Sequence, residues 1–167
     1  MAADFSEIRF KRGREAELKV FEIFKNYIIE NNLRDKYDVL DQTLELQNQY
    51  PNFTSKQMEL GERDGDIIVL NLIKNFKTGF EVTRMSDGKT WISISHHNAN
   101  NIKTKFSYWV IVSSDLSEMW IVSSNMMEKC SRWHKERYGD TRFFKFYPHT
   151  FSNKQPIQIF LPTFLIP

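Results

Sequence analysis

Asp66 and Glu81 are the residues of this 167-residue chain whose types and setting point most directly to chemistry. Asp66 opens the run Gly65-Asp66-Ile67-Ile68-Val69-Leu70, and Glu81 lies within Gly79-Phe80-Glu81-Val82-Thr83-Arg84. Both runs read as apolar strands, where a carboxylate is costly unless it is paired, hydrogen-bonded or bound to a metal. Two such groups a loop apart suit a hard, oxygen-liganded divalent cation such as magnesium. An ion of that kind lowers the pKa of a bound water and stabilises charge on a phosphate oxygen, which is the chemistry of phosphodiester hydrolysis.

A third carboxylate, Glu17, falls on the same apolar stripe as Val20, Phe21, Phe24, Tyr27 and Ile28, whereas Glu15 and Glu22 project toward water. The spacing predicts a helix from about Arg14 to Asn31 whose packed face carries Glu17 toward Asp66. Each group also has a plainer reading. Asp64-Gly65-Asp66 could be a turn, Glu81 could sit on an exposed edge, and Glu17 could pair with Arg14 or Lys25. The ordered occurrence of all three favours the metal site.

The elements that must position these groups follow from periodicity. Strands are predicted at Tyr37–Gln42, Asp66–Leu72, Gly79–Met85, Thr90–Ser95, Tyr108–Val112 and Met119–Val122, with later ones near Phe143–Tyr147 and Ile157–Phe160. Ser86-Asp87-Gly88-Lys89 carries the Asp-Gly signature of a hairpin turn. A second helix is expected over about Asn125–Tyr138; residues 43–63 are polar and read as a loop with a short helix, and residues 96–105 as a polar helix or loop. This order describes one α/β domain with a mixed sheet.

Composition narrows the field further. With 41% hydrophobic and 14% aromatic residues the chain is globular in character. It shows neither a signal pattern at Met1-Ala2-Ala3-Asp4 nor an apolar run of membrane-spanning length, so a cytoplasmic place is expected. The lone Cys130 excludes an internal disulfide and a cysteine zinc site, and reads as a buried structural thiol. A net charge of +2 says little about partners, but its clustering says more. Arg9, Lys11, Arg12 and Arg14 gather before the first helix, and Lys129, Arg132, Lys135 and Arg137 on the later one, as groups that could hold phosphates. Adjacent His96 and His97 diverge on most backbones and are poor joint ligands. Trp91, Trp109, Trp120, Phe143, Phe144 and Phe146 are read chiefly as core.

Helix-borne Glu17 after Gly13, Gly65-Asp66 opening a strand and Glu81-Val82-Thr83 on the next together resemble the PD-(D/E)xK nuclease superfamily, which includes restriction endonucleases and many repair nucleases. The resemblance spans Gly13 to about Val122. It implies a restriction-endonuclease-like α-β-β-β-α-β core, with a mixed central sheet flanked by helices. The implied activity is a Mg2+-dependent DNA endonuclease, with Mn2+ as a substitute ion and a homodimer as the means of cutting both strands. Carried over, Asp66 and Glu81 are the metal ligands and Glu17 an accessory ligand or water-orienting group. Thr83 departs from the pattern, standing where the family has lysine. Lys103 and Lys105, on the segment after the turn, are the best candidates to replace it, with Lys103 taken as the catalytic one and Lys105 also among the DNA-binding groups; Lys89 is a weaker candidate. Two other readings stay open: a non-catalytic nucleic-acid-binding or assembly module that keeps the fold, and an RNA endonuclease.

Overall fold

The computed structural model describes residues 5–49, 65–89, 92–95, 108–130, 132–135, 142–146 and 154–167. Its first element is α1, Phe5–Glu30. Ala16, Val20, Phe24 and Ile28 recur every fourth residue and are all buried, so one stripe of the helix faces the core. The helix ends in a Schellman arrangement: Asn32 takes a left-handed φ of 55°, Leu33 N–H donates to the Ile28 carbonyl and Asn32 N–H to that of Ile29. Its start lies nine residues before the expected Arg14. Arg, Lys and Glu are good helix formers, so the helix runs on beyond its apolar stripe. Gly13 is tolerated within it, and the basic cluster of residues 9–14 is therefore part of the helix.

Six strands form the main sheet in the order β1-β2-β3-β5-β6-β9: β1 Tyr37–Asp41, β2 Ile67–Asn71, β3 Phe76–Arg84, β5 Tyr108–Val112, β6 Met119–Ser123 and β9 Gln155–Pro156. All neighbours run antiparallel except β3 and β5, which pair in parallel with Glu81 beside Trp109 and Thr83 beside Ile111. The sheet is thus mixed and the protein α/β, as expected. A short helix α2, Gln42–Gln49, follows β1 directly.

Strand alternation divides the core between two faces. Phe80, Val82, Val110 and Val112 meet the α1 stripe and the last helix, α4 (Ile157–Phe164). On the opposite face Met85, Trp109, Ile111 and Val122 meet Met127 of α3 (Ser124–Cys130) and Ile92. Ile92 belongs to β4, Ile92–Ser95, which pairs with β8 (Arg142–Phe146), itself paired with β7 (Arg132–Lys135).

Three expectations are corrected. The turn at residues 86–89 forms, with Gly88 at φ 69° and Lys89 N–H donating to Ser86, but β3 and β4 belong to different sheets and make no hairpin. The helix expected to Tyr138 ends at Cys130, and Arg132, His134 and Lys135 lie on β7. Ile157–Phe160 is helical: Ile157, Phe160 and Leu161 are buried at spacings of three and four. Its Pro162 is exposed, as is Gln158 four residues earlier, so water can serve the carbonyl that loses its N–H partner.

Among the described residues, no helix is long and apolar enough to cross a membrane. Trp109 is buried, as expected of a core residue, while Trp120 is half-buried with the Lys154 Nζ 4.7 Å from its ring centre. Trp91, His96, His97, Lys103, Lys105 and Arg137 lie outside the described residues.

Candidate carboxylate site

The site is built around the point where β2 begins. Gly65 approaches β3 so closely, at φ 139°, that a Cβ would lie 2.8 Å from the Phe80 nitrogen and 2.9 Å from its carbonyl oxygen. Only glycine fits there. Asp66 follows, donating its N–H to the Phe80 carbonyl at 2.9 Å. The next N–H on that side of β3 belongs to Val82, beyond the end of the ladder. The Asp66 side chain takes the place of the missing strand, its Oδ2 accepting from Val82 N at 2.8 Å. Asp66 is thereby 2% exposed with its carboxylate fixed near the plane of the sheet.

Glu81 is 4% exposed and lies one step beyond the Ile67–Phe80 pair, laterally beside Asp66. Alternation turns it, with half-buried Thr83, to the Trp109 face. Glu17 comes from the other side, on the α1 face, one turn before Val20. Burial, then the negative charge of Asp66, raises its carboxyl from the ordinary 4.5 to about 7, against the opposing pull of Arg14 and Thr43. Glu17 and Asp66 thus sense each other directly, while Glu81 flanks Asp66 from the opposite face.

Arg14 meets this cluster from inside the helix. Its Nη1 donates to Glu17 Oε2 at 2.8 Å and to Asp41 Oδ1 at 2.8 Å, and Nη2 donates to Asp41 Oδ2. Burial opposes its charge, but the hydrogen bonds to Asp41 and Glu17 prevail and raise its pKa. Of the other basic residues of this segment, Arg12 makes a two-pronged pair with Asp87, and Lys11 is exposed. The side chains of Arg9, Arg132 and Lys135 are not among those described.

Asp41 and Thr43 are members of this cluster that sequence reading passed over. Asp41, 5% exposed, ends β1 on the same face as buried Val39, and it caps α2 by accepting from Leu44 N at 3.1 Å. A carboxylate at the buried phase of a strand, just before a helix, was the available signal. Thr43 is 1% exposed; its hydroxyl lies beside Glu17 and favours the ionised form, yet makes no hydrogen bond of full geometry among the described residues.

Among the described residues, no three His, Cys, Asp or Glu side chains stand together as a ready ligand set. Magnesium asks for less, being held by one or two carboxylates with waters and substrate phosphates completing its shell. The pair of Glu17 and Asp66, whose mutual repulsion a cation would relieve, fits that requirement. No protein-family model matches the chain, and no curated protein matches it in sequence.

Proposed function

We propose that the chain is a magnesium-dependent endonuclease acting on DNA, built on a restriction-endonuclease-like α-β-β-β-α-β core. The order α1, β1, β2, β3 and the parallel step from β3 to β5 support that core. The observation that carries the activity is buried Asp66 at the start of β2, with Glu17 and Glu81 on either side. Asp66 would be the central ligand, its orientation set by the Val82 N–H, with Glu81 and Glu17 as flanking oxygen donors. The bound ion would lower the pKa of a water and stabilise charge on the scissile phosphate. Glu17 would serve as an accessory ligand or hold that water in place, its Oε2 itself fixed by Arg14. Two copies of the chain would serve the two strands of a duplex.

One observation favours a second reading, a binding module without catalysis. Arg14 already gives Glu17 and Asp41 an internal cation, and Thr83 brings no positive charge to β3. Nicking of supercoiled plasmid with Mg2+ or Mn2+ separates the two. The nuclease reading expects cleavage by the wild type and its loss in Asp66→Ala and Glu81→Ala, with circular dichroism unchanged. No cleavage with either ion leaves the binding module, and cleavage by both variants at the wild-type rate overturns the nuclease reading of this site.

A further inference from the structure

Three consecutive residues at the β1–α2 junction each meet a different part of the carboxylate site. Asp41 grips Arg14 with both oxygens, and Arg14 in turn holds Glu17 Oε2 at 2.8 Å. Gln42 N–H donates to the Asp66 carbonyl at 3.0 Å. Thr43 lies buried beside Glu17. At the junction itself Asp41 also accepts from Leu44 N and so ties β1 to the first turn of α2. A glutamate on a long side chain needs such restraint if it is to meet an ion in one geometry, since partners behind a ligand orient it.

We propose that Asp41 is a positioning residue of the cation site: acting through Arg14, it sets where the Glu17 carboxylate stands relative to Asp66, and so how tightly a divalent cation is held between them. The inference rests on the cation-site reading above and adds to it a residue that the motif does not contain. Asp41 and Arg14 together bring no net charge, so removing both tests geometry and not simple attraction. A guanidinium is also specific here, because a lysine ammonium cannot make the paired bonds to Asp41 while reaching Glu17.

Isothermal titration of Mn2+ alone into the full chain tests this, with circular dichroism and the thermal midpoint as controls for folding. The wild type is expected to bind Mn2+, and Asp66→Asn to lose that binding. The charge-neutral double variant Arg14→Gln/Asp41→Asn is expected to fold and to bind about 10- to 100-fold more weakly, the usual cost of losing a partner behind a ligand. If the double variant does not fold, Arg14→Lys decides in its place, with the same expected loss. Wild-type affinity in the deciding variant, with binding still abolished by Asp66→Asn, overturns the role of Asp41 and leaves the cation site standing. Absence of any Asp66-dependent Mn2+ binding in the wild type removes both together.

Discussion

Arg12 and Arg14 stand two residues apart on one helix, and each makes a two-pronged pair with an aspartate. Arg12 meets Asp87 at 3.2 Å through both nitrogens, with side chains 37% and 75% exposed. Arg14 meets Asp41 with side chains 13% and 3% exposed, and adds Glu17 at 2.8 Å. The chemistry is the same and the surroundings differ. At the exposed pair water competes for every hydrogen bond and screens the charges. At the buried pair each charge has lost its water and depends on its partner. A basic residue that looks like a phosphate-binding group in sequence therefore becomes, one half-turn along, part of the scaffold of an acidic site.

The largest expected effect breaks the buried pair. Arg14→Gln leaves Asp41 buried without its partner and is expected to cost about 3–5 kcal/mol, read from urea denaturation. Arg14→Gln/Asp41→Asn should cost less than Arg14→Gln alone, because it strands no charge. If the single and double variants are equally destabilised, the pair is not the coupled unit that its geometry describes.

A somewhat smaller effect follows from Glu17. Its folded carboxyl is raised to about 7 from an ordinary 4.5, so folding favours its protonated form. The cost of ionising it is absent below pH 4.5 and complete above pH 7. Wild-type stability should therefore fall by about 3 kcal/mol across that window. Denaturant midpoints of Glu17→Gln measured over the same range should lack this decline and exceed those of the wild type above pH 7. Parallel curves for the two proteins would show that Asp66 and burial do not press on Glu17 as the structure has them.

Much of this was legible from residue pattern, and the failures have physical causes. The i, i+4 stripe of α1 exposed the phase of Glu17, apolar runs marked β2, β5 and β6, and the alternation of Phe80 and Val82 with polar residues marked β3. Ile157-Gln158-Ile159-Phe160 alternates like a strand, and its helical phase shows only when Leu161 and Leu165 are included, both buried. The Asp87-Gly88 turn was visible, but a turn signal specifies local backbone and not which strands pair across it. Asp66 and Glu81 stood out because apolar neighbours surround them. Asp41 did not, because the strand expected at Tyr37–Gln42 also carries polar Asp38 and Gln42, so one more carboxylate there was unremarkable; its burial comes from α1 packing over β1, a contact distant in sequence.

The exposed pair gives the smallest expected effect and the sharpest contrast. Arg12→Gln removes the hydrogen bonds that raise the Arg12 pKa and that, from the other side, hold Asp87 below its ordinary 3.8. Because both ends lie in water, the thermal midpoint of Arg12→Gln at neutral pH should stay within the scatter of the wild type. Any small difference at low ionic strength should vanish in about 1 M salt, where the screening length falls to roughly 3 Å. The Arg14→Gln deficit should persist in the same salt, because a buried charge is poorly screened. A loss in Arg12→Gln as large as that in Arg14→Gln would mean that Asp87 anchors α1 to the turn after β3, and that burial is not what separates the two arginines.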